Sequence, residues 1–452
     1  ALESGDGGRV IVWSEKQTQF LGKISGRGGA LSGDGGFAEV SGSDLVYRGE
    51  TDLSSSNGAV GDLLLDPAIV TLTGGTNDGN DPGAVNNAAF GGNAAGNSGS
   101  VTFANPVPTV IYESELEGTN ANLSIQATNG IGVSGAFTGG VTVQNNRNIT
   151  LQTRNSAGEG STGIDLVTGA TNFSISTSGT GSITIQSGTN GGDAGNAPIK
   201  LSSLTTGSGS ISVSAEGTLT VNGPLNTADQ TASGTTGDIT LSSSRAGVAV
   251  NSTVKTGDSS VADAGGSQTA RSGDINITAG TSITGTGQLI TGNGEMTGAA
   301  AAGTDNARSG SITLTAGNGG VSGGVGLSNA SALNIGTARR TTAVTDTATT
   351  GNIDVTSRDE INNGGASTQL AVSIGAVSGA ATKNPGVLTV TTSQTSGNIF
   401  ISNAAASALR LGAMTTSSGH IHISSAPGLD LTGTLRTESG VNNAGSLNLT
   451  GP

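Results

Sequence analysis

Cysteine is absent from this 452-residue chain, which removes disulfide cross-links and thiolate chemistry from any account of its fold or activity. A chain without cysteine is also what a long secreted bacterial protein presents when it must cross membranes unfolded. Aromatic residues are nearly as scarce, with one Trp, two Tyr and seven Phe. That is too few to expect the aromatic platform of a sugar-binding cleft. Lys and Arg number 18 against 32 Asp and Glu, for a formal net charge of −14, and no basic cluster interrupts the acidity. Nucleic acid is therefore excluded as an expected partner, since phosphate recognition needs concentrated cationic side chains. No apolar run approaches the roughly 18 residues that a spanning helix requires, so no membrane span is expected. The chain begins at Ala1 without Met or a charged-then-apolar leader. The expectation is that a leader and more were removed, or that this is a piece of a longer product.

What the chain has in abundance is glycine, 78 residues of it, placed with a period. A Gly-x-Ile-x-Ile phrase recurs at Gly181, Gly209, Gly237, Gly273, Gly310, Gly351, Gly397, Gly419 and Gly445, with starts 28, 28, 36, 37, 41, 46, 22 and 26 residues apart. Each copy reads as a turn residue followed by a strand whose apolar and polar side chains alternate. Disordered low-complexity sequence has no reason to keep such alternation in every repeat. One copy is too small to bury its own apolar edge; stacked copies merge those edges into a continuous core. A second phrase, apolar-x-Gly-x-apolar, falls between copies, as in Val221-Asn-Gly-Pro-Leu225 and Leu431-Thr-Gly-Thr-Leu435.

Two or three short strands per repeat with glycine-rich corners predict an all-β fold, a right-handed parallel β-helix (β-solenoid) with Gly/Asn-rich loop insertions. The inserts, Thr256 to Ser272 and Thr291 to Ser309, read as loops along one edge. Phrases of different wording extend the pattern to the N-terminus: Gly8-Arg-Val-Ile-Val-Trp13, Phe20-Leu-Gly-Lys-Ile24, Gly36-Phe-Ala-Glu-Val40, Tyr47-Arg-Gly-Glu-Thr51 and Gly61-Asp-Leu-Leu-Leu65. The expectation is one continuous solenoid over residues 1–452, less regular and loop-rich over 67–118. Ile183, Ile211, Ile239, Ile275, Ile312, Ile353, Ile399 and Ile421 are expected to form a single aliphatic stack.

The N-terminal wording carries a resemblance. Gly7-Gly-Arg-Val-Ile-Val-Trp-Ser14, Ile24-Ser-Gly-Arg-Gly-Gly29, Gly33-Asp-Gly-Gly-Phe-Ala-Glu-Val-Ser-Gly42, Asp62-Leu-Leu-Leu-Asp-Pro67 and Ile111-Tyr-Glu-Ser-Glu-Leu116 together resemble a segment of filamentous haemagglutinin-like large exoproteins of Gram-negative bacteria. The likeness covers about the first 120 residues; later coils share only the repeat style. It implies a secreted adhesin of the two-partner secretion type, exported through an outer-membrane partner and placed outside the cell. The chain departs from the family in having no Asn-Pro-Asn motif of the amino-terminal secretion domain. Its expected partners are a host, neighbouring-cell or matrix surface and further copies of itself stacked end to end into a filament, because the terminal strands carry no helical or charged cap.

Candidate chemistry is thin. His420 and His422 have a spacing that can grip a metal, yet they occupy outward polar slots and read more simply as two solvated histidines. His422, Phe400 and Asp354 are expected to share one outward column. Asp238 and Asp274 are expected to stack in adjacent coils without a basic group to complete an acid–base site. Asn77-Asp-Gly-Asn-Asp81 concentrates oxygen ligands suited to calcium but lacks the EF-hand spacing and its closing Glu, and Asx-rich turns explain both it and Gly33-Asp-Gly-Gly36 without a metal. No catalytic, cofactor-binding or metal residue is assigned, and no cofactor is expected. The function expected is structural or adhesive and non-enzymatic; the alternative is a carbohydrate-binding or polysaccharide-cleaving β-helix.

Overall fold

A computed structural model describes residues 2–73, 109–134, 139–154, 163–167, 173–188, 197–298, 304–317, 323–340, 346–362, 369–393, 397–417, 419–437 and 445–451. Alternation of apolar and polar side chains becomes strand throughout, and the described residues form two compact units, 1–204 and 205–452. Each is a parallel β-solenoid.

In the first unit one ladder runs through Arg9–Trp13, Phe37–Ser41, Asp62–Asp66, Asn122–Ala127, Ile149–Thr153 and Ile183–Ser187, every pairing parallel and in register. Ala38, Leu63, Leu123, Ile149 and Ile183 line up on its buried side, as do Val40, Leu65, Ile125, Leu151 and Ile185. A second ladder stacks Ile69–Thr73, Gly130–Val133, Gly163–Asp165 and Ile199–Leu201. Within the segment expected to be irregular, Ile69–Thr73 pairs directly with Val110–Tyr112, followed by a single helical turn, Glu113–Glu117. Residues 74–108, with the calcium candidate at 77–81, lie outside the described residues. The turn is anchored by a buried cation: Arg48 Nη1 donates to the carbonyls of Tyr47 and Val110 at 2.7 and 2.9 Å, and its guanidinium lies 4.4 Å from the Tyr112 ring centroid. Glu115 Oε2 accepts the Tyr112 amide at 2.8 Å.

In the second unit the first ladder runs through Ile211–Ala215, Ile239–Ser243, Ile275–Ala279, Ile312–Ala316, Ile353–Ser357, Leu388–Thr392 and Leu409–Thr416. Two further ladders complete each coil, one through Leu219–Val221 and Val248–Val250, the other through Leu225–Thr227 and Val254–Lys255. Ile211, Ile239, Ile275, Ile312 and Ile353 stack as expected. Ile399 and Ile421 do not continue that column: Ile353 is followed by Leu388, whereas Ile399 follows Ile361, and Leu447 follows Ile421 on another face. The reason is a change in coil plan. Ile399–Asn403 pairs with both Ile361–Asn362 and Leu370–Ile374, so one strand replaces two, and Gly-x-Ile-x-Ile phrases then serve a different face.

The phrase's glycine and its variable x each have a physical reason. Gly237, Gly273, Gly310, Gly351 and Gly386 stack so closely that a methyl added at any of the last four would fall on the carbonyl oxygen of the glycine one coil earlier. At x, the side chain accepts the amide of its counterpart in the next coil: Asp274 N donates to Asp238 Oδ1 at 2.7 Å, Ser311 N to Asp274 Oδ1 at 2.8 Å, and Val387 N to Asn352 Oδ1 at 3.1 Å. Asp, Asn and Ser combine the short reach and the oxygen this requires.

The inserts do lie beside the coils, and they are built of strand. Ser259–Ala262, Gly294–Thr297, Ala338–Arg340 and Val377–Ser378 form one parallel ladder; Gly234–Thr235, Thr269–Arg271, Asn306–Arg308, Thr347–Thr349 and Thr382–Asn384 form another. Between them Val261, Ala270, Met296, Ala307, Ala338, Ala348 and Ala380 make a separate small core. Buried hydroxyls seal the neck between this arm and the main coil. Thr256 Oγ1 lies 3.0 Å from Ser272 Oγ and donates to the Gly273 carbonyl at 2.9 Å, and Thr291 repeats the bond to Gly310 at 3.0 Å. So thin a core holds little apolar area, and an ion cluster supplements it. Arg340, 1% exposed, reaches Asp263 at 2.7 Å, Asp305 at 3.2 Å and Asp346 at 2.5 Å.

Two outcomes follow for stability. Gly310→Ala, with no room for its methyl, should cost about 3 kcal/mol, whereas Gly8→Ala, where nothing lies within 4 Å, should be close to neutral; chemical denaturation of both variants checks the contrast. Arg340→Leu strands three carboxylates in a buried site and should destabilise by about 3–5 kcal/mol. Hydrogen exchange should then show the arm strands Ser259–Ala262 and Gly294–Thr297 opening before the main ladder.

Candidate functional site

The wording of the first three coils departs from the general repeat, and the departures meet in one place. Trp13 ends the first strand, Ser41 lies beside it one coil on, and Asp66 beside Ser41 one coil further. Together with Ser14, Glu15, Glu39, the Gly42-Ser43 and Pro67-Ala68 corners and Thr128, they line an open cleft of about 310 Å³. The side chains reach it because alternation turns Val12 and Val40 toward the core and Trp13, Glu39 and Ser41 the other way, with Ser41 itself buried. Trp13 is the chain's single tryptophan and is 62% exposed.

Hydrogen bonds fix the floor of the cleft. Ser41 Oγ donates to Glu39 Oε1 at 2.8 Å, and Thr18 Oγ1 donates to the Ser41 carbonyl at 2.6 Å. Burial pushes the Asp66 carboxyl above the ordinary carboxylate range; the Arg154 guanidinium opposes that shift and the Glu39 charge adds to it. The lining contains three carboxylates, Glu15, Glu39 and Asp66, and no Lys or Arg. An exposed indole flanked by carboxylates attracts an organic cation through the ring face and the anionic rim together. The same pairing of a half-buried carboxyl with a second carboxylate is what acid–base chemistry on a glycoside uses.

The residues singled out by sequence have other duties. Asp238 and Asp274 are adjacent as expected, but each Oδ1 is occupied by a backbone amide of the next coil. A basic partner is present as well, since Arg271 Nη2 reaches Asp274 Oδ2 at 2.5 Å. Phe400 and His422 share a column, with ring centroids 6.3 Å apart. Asp354 does not belong to it: it lies on the first ladder beside Thr389. His422 is partly buried, while His420 is exposed as expected, its Nδ1 2.8 Å from Ser446 Oγ. Among the described residues no group of three or more His, Cys, Asp or Glu could hold a metal ion. In the Gly33–Gly36 turn, Asp34 Oδ1 accepts the Ala59 amide at 2.7 Å, an Asx contact between coils.

Trp13, Glu39 and Asp66 were not singled out as a site by sequence. The available signal was the outlying wording itself, Val-Trp-Ser, Glu-Val-Ser-Gly and Leu-Asp-Pro, at equivalent positions of three successive coils. Compared with known proteins, the chain matches no family model and no curated protein.

The Asp66 environment sets a pH dependence. A carboxyl held above its unfolded value stabilises the fold fully below that unfolded value, and the contribution is lost as pH rises through the folded one. Asp66→Asn removes this loss. The melting temperature of the variant relative to the parent should therefore climb from about pH 4 to pH 7, and parallel melting curves across that range would show that Asp66 is not perturbed in solution.

Proposed function

We propose that this chain is the β-solenoid of a secreted attachment protein, an adhesin of filamentous haemagglutinin-like character displayed outside a Gram-negative cell and delivered through an outer-membrane partner. The observation that carries the reading is the convergence of three outlying N-terminal phrases on the Trp13 cleft. Those phrases are also the ones in which the resemblance to the exoproteins lies, while the remaining coils repeat a general grammar whose side chains are used in stacking. On this reading the solenoid supplies rigidity, and the cleft supplies a point of grip for ammonium-bearing groups on a target surface.

Purified chain should be retained saturably on target cells or extracellular matrix, and soluble alkylammonium should compete. Trp13→Ala should weaken retention by about tenfold, and the double variant Glu39→Gln, Asp66→Asn should weaken it comparably while shifting its salt dependence. Retention unaffected by both changes would remove the cleft from the reading. Failure of the parent to bind any such surface would remove the reading itself.

A second reading keeps the same cleft. An indole beside a raised carboxyl and a partner carboxylate also suits a neutral glycan, bound or cleaved. Competition by oligosaccharides in place of alkylammonium, or release of reducing ends that Asp66→Asn abolishes, would favour it.

A further inference from the structure

The ladder of side-chain acceptors that follows the turn glycines has one member of different chemistry. On the face carrying Ile399–Asn403, Ile421–Ser424 and Leu447–Thr450, Asn398 Oδ1 accepts the His420 amide at 2.8 Å. In the next rung His420 Nδ1 accepts the Ser446 amide at 2.9 Å. A backbone N–H can only donate, so Nδ1 must carry its lone pair, and the ring hydrogen resides on Nε2. Asn and Ser in equivalent slots keep their acceptor at any pH. An imidazole loses it on taking up a proton, because both nitrogens of the cation are donors.

We infer that His420 is a proton-sensitive latch on the strand Leu447–Thr450. Protonation turns Nδ1–H toward Ser446 Oγ, which lies 2.8 Å away and can accept, and leaves the Ser446 amide facing a donor. All four residues of the strand are exposed, Leu447 at 49% and Leu449 at 41%; backbone pairing to Ile421–Ser424, the Thr437 Oγ1 bond to the Gly445 carbonyl at 3.1 Å and this rung hold it. The charged and titratable groups facing the ladder are few. Glu360 Oε1 accepts from Asn398 Nδ2 at 3.4 Å, His422 lies two residues along the same strand, and Ser446 and Asn448 on the far strand are neutral.

Hydrogen exchange on the full chain, corrected for the intrinsic effect of pH, tests the latch. Protection of the Ser446–Thr450 amides should fall about tenfold from about pH 7.5 to about pH 5, while amides of the first ladder hold theirs. His420→Asn installs the residue found at 352 and 398 and should abolish the fall; His422→Asn should leave it intact. Equal protection of the parent at both pH values overturns the inference. So does a fall that persists in His420→Asn or vanishes in His422→Asn. Should His420→Asn fold poorly, the ¹⁵N shifts of the parent's ring decide: Nδ1 must change from acceptor to protonated over the same pH range in which the Ser446 amide loosens, and a mismatch sinks the latch.

Discussion

In-register parallel stacking makes every residue the neighbour of whatever fills the same slot one coil earlier and one coil later. Most of the chemistry in this protein is an answer to that condition. A slot turned inward must accept its own kind as a neighbour, which Ile, Val and Leu do with an apolar gain on both sides. A slot at the tightest corner can hold only glycine, as the Gly237 to Gly386 column shows. A slot beside an unpaired amide needs a short side chain with an oxygen, hence Asp238, Asp274, Ser311 and Asn352. Charge is the type least able to repeat. Two groups of carboxylates are tied off by a cation, Asp274 by Arg271 and the trio Asp263, Asp305 and Asp346 by Arg340.

Much of this was legible in the sequence, because the constraint writes itself as repetition. The alternation around Ile211, Ile239, Ile275, Ile312 and Ile353 identified strand, inward face and partner together. Legibility ended where the coil plan changed. Gly386-Val-Leu-Thr-Val390 fills the first ladder after Ile353, but its apolar Val387 hides the phrase, so the column was carried on to Ile399, which belongs to another face. The arm was hidden for a different reason. Its core is alanine, with Val261 and Met296, and small side chains give too weak an alternation to separate strand from glycine-rich loop. The cleft was signalled only by outlying wording at equivalent positions of three phrases, and Trp13, Ser41 and Asp66 become neighbours through register.

Repetition and its exceptions divide the molecule's work. Coils that keep the general grammar spend their polar side chains on one another, through the x ladder and the hydroxyls at the neck. The exceptions carry side chains of other chemistry: a single indole and a half-buried carboxyl at the cleft, a buried guanidinium at the arm, an imidazole in an amide-acceptor slot. Each has a different environment from its repeat counterparts.

The x ladder has a sense of direction. Asn148 N donates to Asn122 Oδ1, Asp274 N to Asp238 Oδ1 and Asn293 N to Asp258 Oδ1, so in each case the earlier coil holds out an oxygen and the later coil brings the hydrogen. Two arm contacts run the other way, with Gln268 N donating to Asp305 Oδ1 and Asp305 N to Asp346 Oδ1. A main coil thus presents acceptors already spaced for the amides of the coil that follows. The arm is thus held in both senses, since Thr304 N donates back to Ser267 Oγ at 3.2 Å.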